Sequence, residues 1–509
     1  MLLHQTLEQT AARYPQKIAL VCDDQRYTYA QLDERATQLA ALLQQRGVQR
    51  GDRVATFLEN GVEAVVSIYA AMKCGAVFMP INPLTRKDKL AYLLNDARAS
   101  AFISQPALRN EYEAACAQNH TVHTCLVSGS FSANAVEPGV VADAQATLAI
   151  ATQFVAPAID QDLASIIYTS GSTGEPKGVM LTHINMLSAA RSIAAYLELG
   201  ADDVILCALP LAFDYGLYQV LMGFMVGATV VLERSFAFPV KVLEAMVRER
   251  VTVFPGVPTM FSLLMNLTTL AQYDTRSLRT ITNTAAALSE EHIRRLRSLF
   301  PAAKLYSMYG LTECKRVTYL PPEQLDQRPT SVGRGMPNQE VWLVDASGLR
   351  LPNGSIGELV IRGSNVMRGY WEKPEATAER LKRGPLAGEV VLYSGDVFRT
   401  DVEGYLYFVA RKDDIIKSRG EKVSPREVEN VLYSMPGVLE AAVIGVDDPV
   451  LGQAVKAFVV MQAGRRTTER DVIKFCLSRL ESFMAPKQVQ FVAELPKTDT
   501  GKIKKTGLN

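Results

Sequence analysis

The sequence predicts an α/β protein of at least two domains, and three observations carry that prediction. Its 509 residues exceed what a single hydrophobic core organises. Helix-period and strand-period segments alternate to about residue 128 and again from Ala164 to about Leu320, the pattern of layered α/β units around a largely parallel sheet. From Ser331 to Phe408 the texture changes to short runs such as Gly357 to Arg362, split by Gly, Asn and Pro, which predict a small, distorted antiparallel β unit.

Taken in order, Leu7 to Tyr14 and Tyr29 to Arg46 have helical periodicity, and Gly47 ends the second. Arg53 to Leu58 reads as a strand, Val62 to Lys73 as a helix that stops before Gly75, and Val77 to Ile81 as the next strand. Residues 129 to 160 are rich in Ser, Ala, Gly and Pro and read as a surface connection. Val220 to Leu232 is the most apolar stretch. It falls short of the roughly 20 residues a bilayer needs, and reads as a buried helix followed by a strand. After Arg411 the α/β texture returns on a smaller scale. Ser424-Pro425-Arg426-Glu427 is a helix start, with an N-cap, Pro at the first helical position and Glu closing a capping box. That helix ends near Pro436 and Gly437. Strands Leu439 to Val446 and Ala454 to Met461 follow, then a helix from about Thr468.

Apolar residues make up 48% and charged residues 21%, an ordinary globular balance. A net charge of +1 gives no field to hold polyanions, which argues against nucleic acid as the main partner. The seven cysteines form no CxxC pair, so reduced thiols are expected rather than a disulfide framework or a zinc site. The start, MLLHQTLEQTAARYP, lacks a basic region and a long apolar run; a cytoplasmic protein without a membrane span is expected.

One segment stands out chemically. The strand Ala164 to Tyr168 runs into Thr169-Ser170-Gly171-Ser172-Thr173-Gly174-Glu175-Pro176-Lys177-Gly178, and a second strand follows. Glycines let backbone N–H groups turn toward an anion, hydroxyls add donors, and Lys177 adds charge. The spacing is not that of a Walker loop. By composition alone, such a cluster also reads as a flexible polar hairpin loop.

The string YTSGSTGEPKGV, Tyr168 to Val179, closely resembles the phosphate-binding signature of the adenylate-forming superfamily: acyl-CoA synthetases, adenylation domains of peptide synthetases, and firefly-type luciferases. The resemblance recurs in order along nearly the whole chain. It implies a large N-terminal domain, residues 1–410, of layered α/β subdomains plus a small distorted β-barrel. A hinge at 411–413 and a small mobile α+β C-terminal domain, 414–509, complete the implied organisation. The implied chemistry is ATP-dependent activation of a carboxylic acid to an acyl-AMP, then transfer to a thiol.

Residue roles implied by the resemblance are as follows. Thr169, Ser170, Gly171, Ser172, Thr173, Gly174 and Lys177 would cradle the phosphates. In Tyr309-Gly310-Leu311-Thr312-Glu313, Tyr309 would stack on adenine, Thr312 would contact the α-phosphate, and Glu313 would hold Mg²⁺, a hard carboxylate for a hard cation. Asp396 of Tyr393-Ser394-Gly395-Asp396 would bind the ribose hydroxyls, with Arg411 as its partner. Thr284 to Leu288 stands where the family carries a Gly-rich adenine segment. Ala285 and Ala286 depart from its glycines, and Ala286 is the position implied to touch the nucleotide. Lys502 matches the catalytic lysine, a compact charge for the attacking carboxylate and the α-phosphate. Asp413 aligns with the hinge, and Gly420 and Lys422 with the loop that meets the thiol.

On the acid side, Phe213 and Asp214 resemble the Phe-Asp of amino-acid adenylation domains, where the Asp pins the substrate ammonium; Asp214 as a helix cap is the other reading. Gly310 is also assigned there. The segment Met308 to Pro322 is most similar to stand-alone bacterial acyl or prolyl-type AMP ligases. The expected substrate is an amino acid such as proline, or another small acid. The expected acceptor is the phosphopantetheine of a separate carrier protein, or CoA. A fatty-acyl or aryl-CoA ligase and a luciferase-like oxygenase are the alternatives.

Overall fold

The computed structural model describes residues 1–128, 158–170, 176–284, 288–412, 414–418, 421–448, 452–462, 464, 467–480, 482–498, 503–505 and 507–508. The 129–160 connection lies almost wholly outside them.

The elements form because local chemistry and burial agree. Thr28 accepts from Gln31 N–H while the Gln31 side chain bonds back to Thr28, a reciprocal cap that starts the helix Tyr29–Gln45. The helix Asp214–Val226 is buried along its length, from Tyr215 to Phe224, and Gly227 ends it at φ 84, where any other residue is strained. The strand Thr229–Leu232 follows, so the most apolar stretch is a buried helix and a strand as the sequence predicts.

The predicted parallel sheet is in fact two sheets, each parallel at its centre and antiparallel toward one or both ends. One has seven strands in the order Gly369–Tyr370, Pro176–Thr182, Leu163–Ser170, Val77–Ile81, Arg53–Phe57, Ala99–Ser104, Thr124–Val127. The other has nine: Arg334–Gly335, Lys315–Leu320, Lys304–Leu311, Thr280–Asn283, Val253–Gly256, Val204–Cys207, Thr229–Leu232, Ile18–Cys22, Gln25–Thr28. The departure has a simple cause. Parallel neighbours need a long crossover, whereas the links after Ser170 and Leu311 are too short for one, so these strands fold back as hairpins. Both hairpins carry sequence motifs, so the motifs fall where the parallel order ends.

The antiparallel unit runs Gln339–Val344, Ile356–Gly363, Val390–Thr400, Leu381–Arg383, with Leu406–Arg411 also paired to Val390–Thr400. The smaller C-terminal domain has its own five-stranded sheet: Glu421–Val423, Ile416–Ser418, Gly452–Met461 and Val438–Asp448, with Gln488–Phe491 beside Gly452–Met461. The helices Pro425–Tyr433 and Glu469–Leu477 close a separate core of Val423, Val428, Leu432, Val443, Val459 and Val472. Ser424 caps the first of these by accepting from Glu427 N–H, and its hydroxyl also donates to Val409 O in the larger domain. No helix among the described residues is long and apolar enough to cross a membrane. All seven cysteines are free.

Candidate functional site

The first hairpin sets Thr169 opposite Lys177 and Tyr168 opposite Gly178. The flanks of the motif are therefore strand, and 171–175 is the connection between them. Gly178 is fixed by packing: a Cβ there would come 2.7 Å from Ile166 and 3.1 Å from Tyr168.

The second hairpin pairs Leu311 with Lys315, leaving Thr312, Glu313 and Cys314 at its tip. Three-residue hairpin loops commonly end on a residue in the left-handed region, usually Gly. Here the left-handed residue is Lys315, the one directly after the tip, at φ 71. Gly310 faces the closure, where a Cβ would lie 2.0 Å from Lys315 O.

Residues 367–371 tie the hairpins together. Met367 N–H donates to Glu313 O at 2.7 Å, and Trp371 N–H donates to Gly178 O at 2.7 Å. Between them, Tyr370 donates its hydroxyl to Glu313 Oε1 at 2.7 Å, and Lys177 Nζ stands 5.6 Å from its ring centroid. Burial, then the Glu313 carboxylate, push the Tyr370 phenol well above its ordinary range, so it stays a donor at any working pH.

From the same hairpin, Tyr309 donates to Asp396 Oδ2 at 2.5 Å. Asp396 pairs across its sheet with Arg411, whose Nε lies 3.9 Å from Asp396 Oδ1. Burial raises the Asp396 carboxyl above its usual value, against the lowering effects of Tyr309, Arg411 and Arg380. The Tyr309 ring is held edge-on by Phe398 at 4.8 Å. Gly395 has φ 72, and a Cβ on it would strike the Arg380 guanidinium, so this turn admits only glycine. Two sets of contacts, Lys177–Tyr370–Glu313 and Tyr309–Asp396–Arg411, thus meet on the one hairpin that carries both Glu313 and Tyr309.

A third group lies on the helix Asp214–Val226. Phe213 is its N-cap and Asp214 its first residue, with no side-chain cap bond, so the cap reading of Asp214 fails. Asp214 makes no hydrogen bond or ion pair with another described side chain. Tyr215 shares hydrogen bonds with Thr282, to its carbonyl at 2.8 Å and its hydroxyl at 2.7 Å. Over these tyrosines lie two buried cations. The Arg316 guanidinium is 4.4 Å from the Tyr215 ring, and Lys315 Nζ is 6.0 Å from the Tyr218 ring. Lys315 is 1% exposed and Arg316 3%. Neither Lys315 Nζ nor Arg316 Nε has a hydrogen-bond partner among the described residues. Burial lowers the Lys315 ammonium to about 8, with Asp214 and Glu313 acting against that fall, and it remains a cation at neutral pH.

Thr169, Thr312 and Gly310 sit half-buried at the two hairpins. Gly171, Ser172, Thr173, Gly174, Ala286, Asp413, Gly420 and Lys502 lie outside the described residues, as do the side chains of Ser170 and Lys422. Beside Lys502, Ile503 pairs with Lys497 and packs with Phe458 and Leu495 of the small domain. The sequence reading missed Tyr370, Arg380, Lys315 and Arg316. Tyr370 stands in Gly369-Tyr370-Trp371, which carries no charge pattern. Lys315 and Arg316 offered one signal, two adjacent cations entering an apolar strand.

The chain is similar to known proteins along nearly its whole length. The profile of the family described as AMP-binding enzyme matches residues 7–371, and that of the AMP-binding enzyme C-terminal domain matches residues 427–502. A long-chain-fatty-acid–CoA ligase of Bacillus subtilis strain 168 is 34% identical over 98% of this chain and 93% of its own length. A linear gramicidin synthase protein of Brevibacillus parabrevis is 31% identical over 99% of this chain, which spans only 6% of that protein. The crystal structure of ATP-bound MatB from Rhodopseudomonas palustris superposes with a TM-score of 0.88 at 30% identity, covering 99% of this chain and 98% of that one.

Proposed function

We propose, from the premise that the chain belongs to the family of AMP-binding enzymes, that these two sets of contacts form its ATP site and that the acid lies between Asp214 and Glu313. The protein is an AMP-forming acid–thiol ligase, acting through an acyl-AMP. One hairpin carries the reading of the site, because it presents Glu313, tied to Tyr370 and Lys177, and Tyr309, tied to Asp396, so that groups suited to phosphate, adenine and ribose come together.

In this reading Asp396 and Arg411 receive the ribose, Tyr309 lies against adenine with the backbone at Ala286, and Thr169 to Gly174 with Lys177 hold the phosphates. Glu313 would hold Mg²⁺. Its Oε1 is occupied by Tyr370, while Oε2 has no hydrogen bond to a described residue and suits a hard cation. When bound, Mg²⁺ supplies charge neutralisation to the phosphates. The acid carboxylate attacks the α-phosphorus beside Thr312 and Lys502; the bond to the β-phosphate oxygen breaks, and pyrophosphate departs with the electron pair. Such a step needs alignment and charge neutralisation rather than a protein nucleophile. A thiolate then attacks the acyl carbon and AMP leaves.

For the second step, residues 414–509 pivot against 1–410 about 411–413, with Asp413 as hinge, and Gly420 and Lys422 line the thiol path. We take the thiol to be the phosphopantetheine of a separate carrier protein, with CoA as the other acceptor. A cytoplasmic setting suits seven free cysteines. The acid is small and polar, an amino acid in the first instance. Asp214 is available to an ammonium, and the buried Tyr215, Tyr218 and Arg316 near it are polar or charged rather than aliphatic.

The test is acid-dependent exchange of labelled pyrophosphate into ATP, over proline, other amino acids, small acids, aryl acids and fatty acids. Exchange with small acids is expected. Silence with every acid defeats adenylation, and exchange with fatty acids alone defeats the small polar pocket. Lys502→Ala at near wild-type adenylation rate removes that lysine from the mechanism.

A further inference from the structure

We propose that the acid this protein activates carries a second carboxylate, received by Lys315 and Arg316. The inference rests on the acid lying beside Asp214, as in the reading above, and names the class of that acid.

Three independent features of Lys315 point the same way. Its backbone is in the left-handed region at φ 71, a strained choice for a residue with a side chain. Its side chain is buried, at 1% exposure. Its ammonium has no hydrogen-bond partner among the described residues. A cation taken out of water without a partner is expensive, and natural proteins rarely keep one. Arg316 repeats the pattern, buried with Nε unpartnered among the described residues. The ring faces of Tyr215 and Tyr218 offer only weak compensation at 4.4 and 6.0 Å. Nothing among the described residues completes these donors, which leaves them to a ligand.

Charge decides what that is. The charged groups facing Lys315 are Asp214, Glu313 and Arg316. Glu313 already accepts a hydrogen bond from Tyr370, and in the reading above its other oxygen serves the phosphates. On the acid side, two cations therefore face one carboxylate. An acid with a single carboxylate spends its charge at the α-phosphate and leaves the surplus buried. A second carboxylate neutralises it, and its planar pair of oxygens suits the guanidinium fork and the ammonium together. Where the acid also bears an α-ammonium, Asp214 takes it.

The experiment measures binding by calorimetry and pyrophosphate exchange with the full chain. The probes are succinate, glutarate, aspartate and glutamate, against the chain-matched monocarboxylates butyrate and pentanoate. Dicarboxylates are expected to bind at least roughly tenfold more tightly than their matched monocarboxylates. Lys315→Met is expected to collapse that preference by roughly 10- to 100-fold. Its melting temperature holds or rises, because an unpaired buried charge is gone. Arg316→Met loses the same preference, and Lys315→Arg retains part of it. A purely structural lysine gives the opposite, a lower melting temperature with selectivity intact, and overturns the proposal. So does a wild-type protein that prefers monocarboxylates. Dicarboxylate binding without exchange upholds the carboxylate site at Lys315 and Arg316 but overturns its role in activating an acid, and defeats the adenylation reading. Exchange with monocarboxylates alone does the reverse. Tighter binding of aspartate than succinate upholds it with Asp214 holding the ammonium, and the opposite order upholds it without that contact.

Discussion

Lys73 and Lys315 are both buried lysines, at 3% and 1% exposure, and their surroundings differ completely. Lys73 ends the helix Val62–Lys73 and bonds Glu8 at 2.5 Å from the helix Gln5–Arg13. It also pairs with Asp33 at 2.9 Å from the helix Tyr29–Gln45. One cation therefore clamps three helices, in unstrained backbone. Lys315 has no such ion pair among the described residues, sits in strained backbone and lies next to a second buried cation, Arg316, whose Nε has no hydrogen-bond partner there. A buried charge with its counter-charges supplied by the chain specifies packing. A buried charge left incomplete is held for something that arrives later.

Acidification should break the Lys73 region first and most strongly. His4 and His183 lie beside it, 6.1 Å apart ring to ring. Burial depresses both: His4 falls to about 3, with the charges of His183 and Lys73 adding to the fall, and His183 falls to about 4 against the raising effect of Asp162 and Asp160. Leu3 N–H donates to His183 Nδ1 at 3.1 Å, a bond that protonation removes. Because both folded values lie below the unfolded 6.5, the unfolded chain binds more protons below that pH. Their contribution is complete above about pH 6.5 and fades as pH falls toward 4, by about 2 kcal/mol each at pH 4.5. Urea melts from pH 7.5 to 4.5 measure it, and a flat profile refutes it.

Lys73→Met comes next. It strands two half-exposed carboxylates and should lower stability by about 2 kcal/mol while leaving pyrophosphate exchange per folded molecule unchanged. An unchanged melting point would erase the contrast with Lys315. Tyr370→Phe is the mildest probe. It keeps the ring under Lys177 but removes the bond to Glu313, and should lower kcat/KM for MgATP roughly tenfold with the melting temperature held. A fall in stability without a kinetic change would make Tyr370 a packing residue.

Legibility in the sequence followed the range of the physics. Helices such as Val62–Lys73 and the strand Val77–Ile81 were readable to the residue, because periodicity and Gly75 act locally. Glu313, Tyr309, Asp396 and Arg411 were singled out because each sits in or beside a short motif that resembles one of the adenylate-forming superfamily; residue type alone did not separate them from surface residues. That Asp214 is the first residue of its helix rather than the cap was undecided, since Phe213 and Asp214 both stand at the boundary and local pattern does not separate them.

The sequence by itself determined the α/β class, the succession of elements and the motif residues, all of which depend on neighbours within a few positions. Only the tertiary structure decided that the strands divide into two sheets with the motif hairpins where parallel order ends. It alone brought Tyr370 between Lys177 and Glu313, residues 193 and 57 positions away in the chain. It alone revealed that one of two buried lysines is held in direct ion pairs, while the ammonium of the other has no hydrogen-bond partner among the described residues. Charge satisfaction depends on distance in space and loss of water, and a linear pattern records neither.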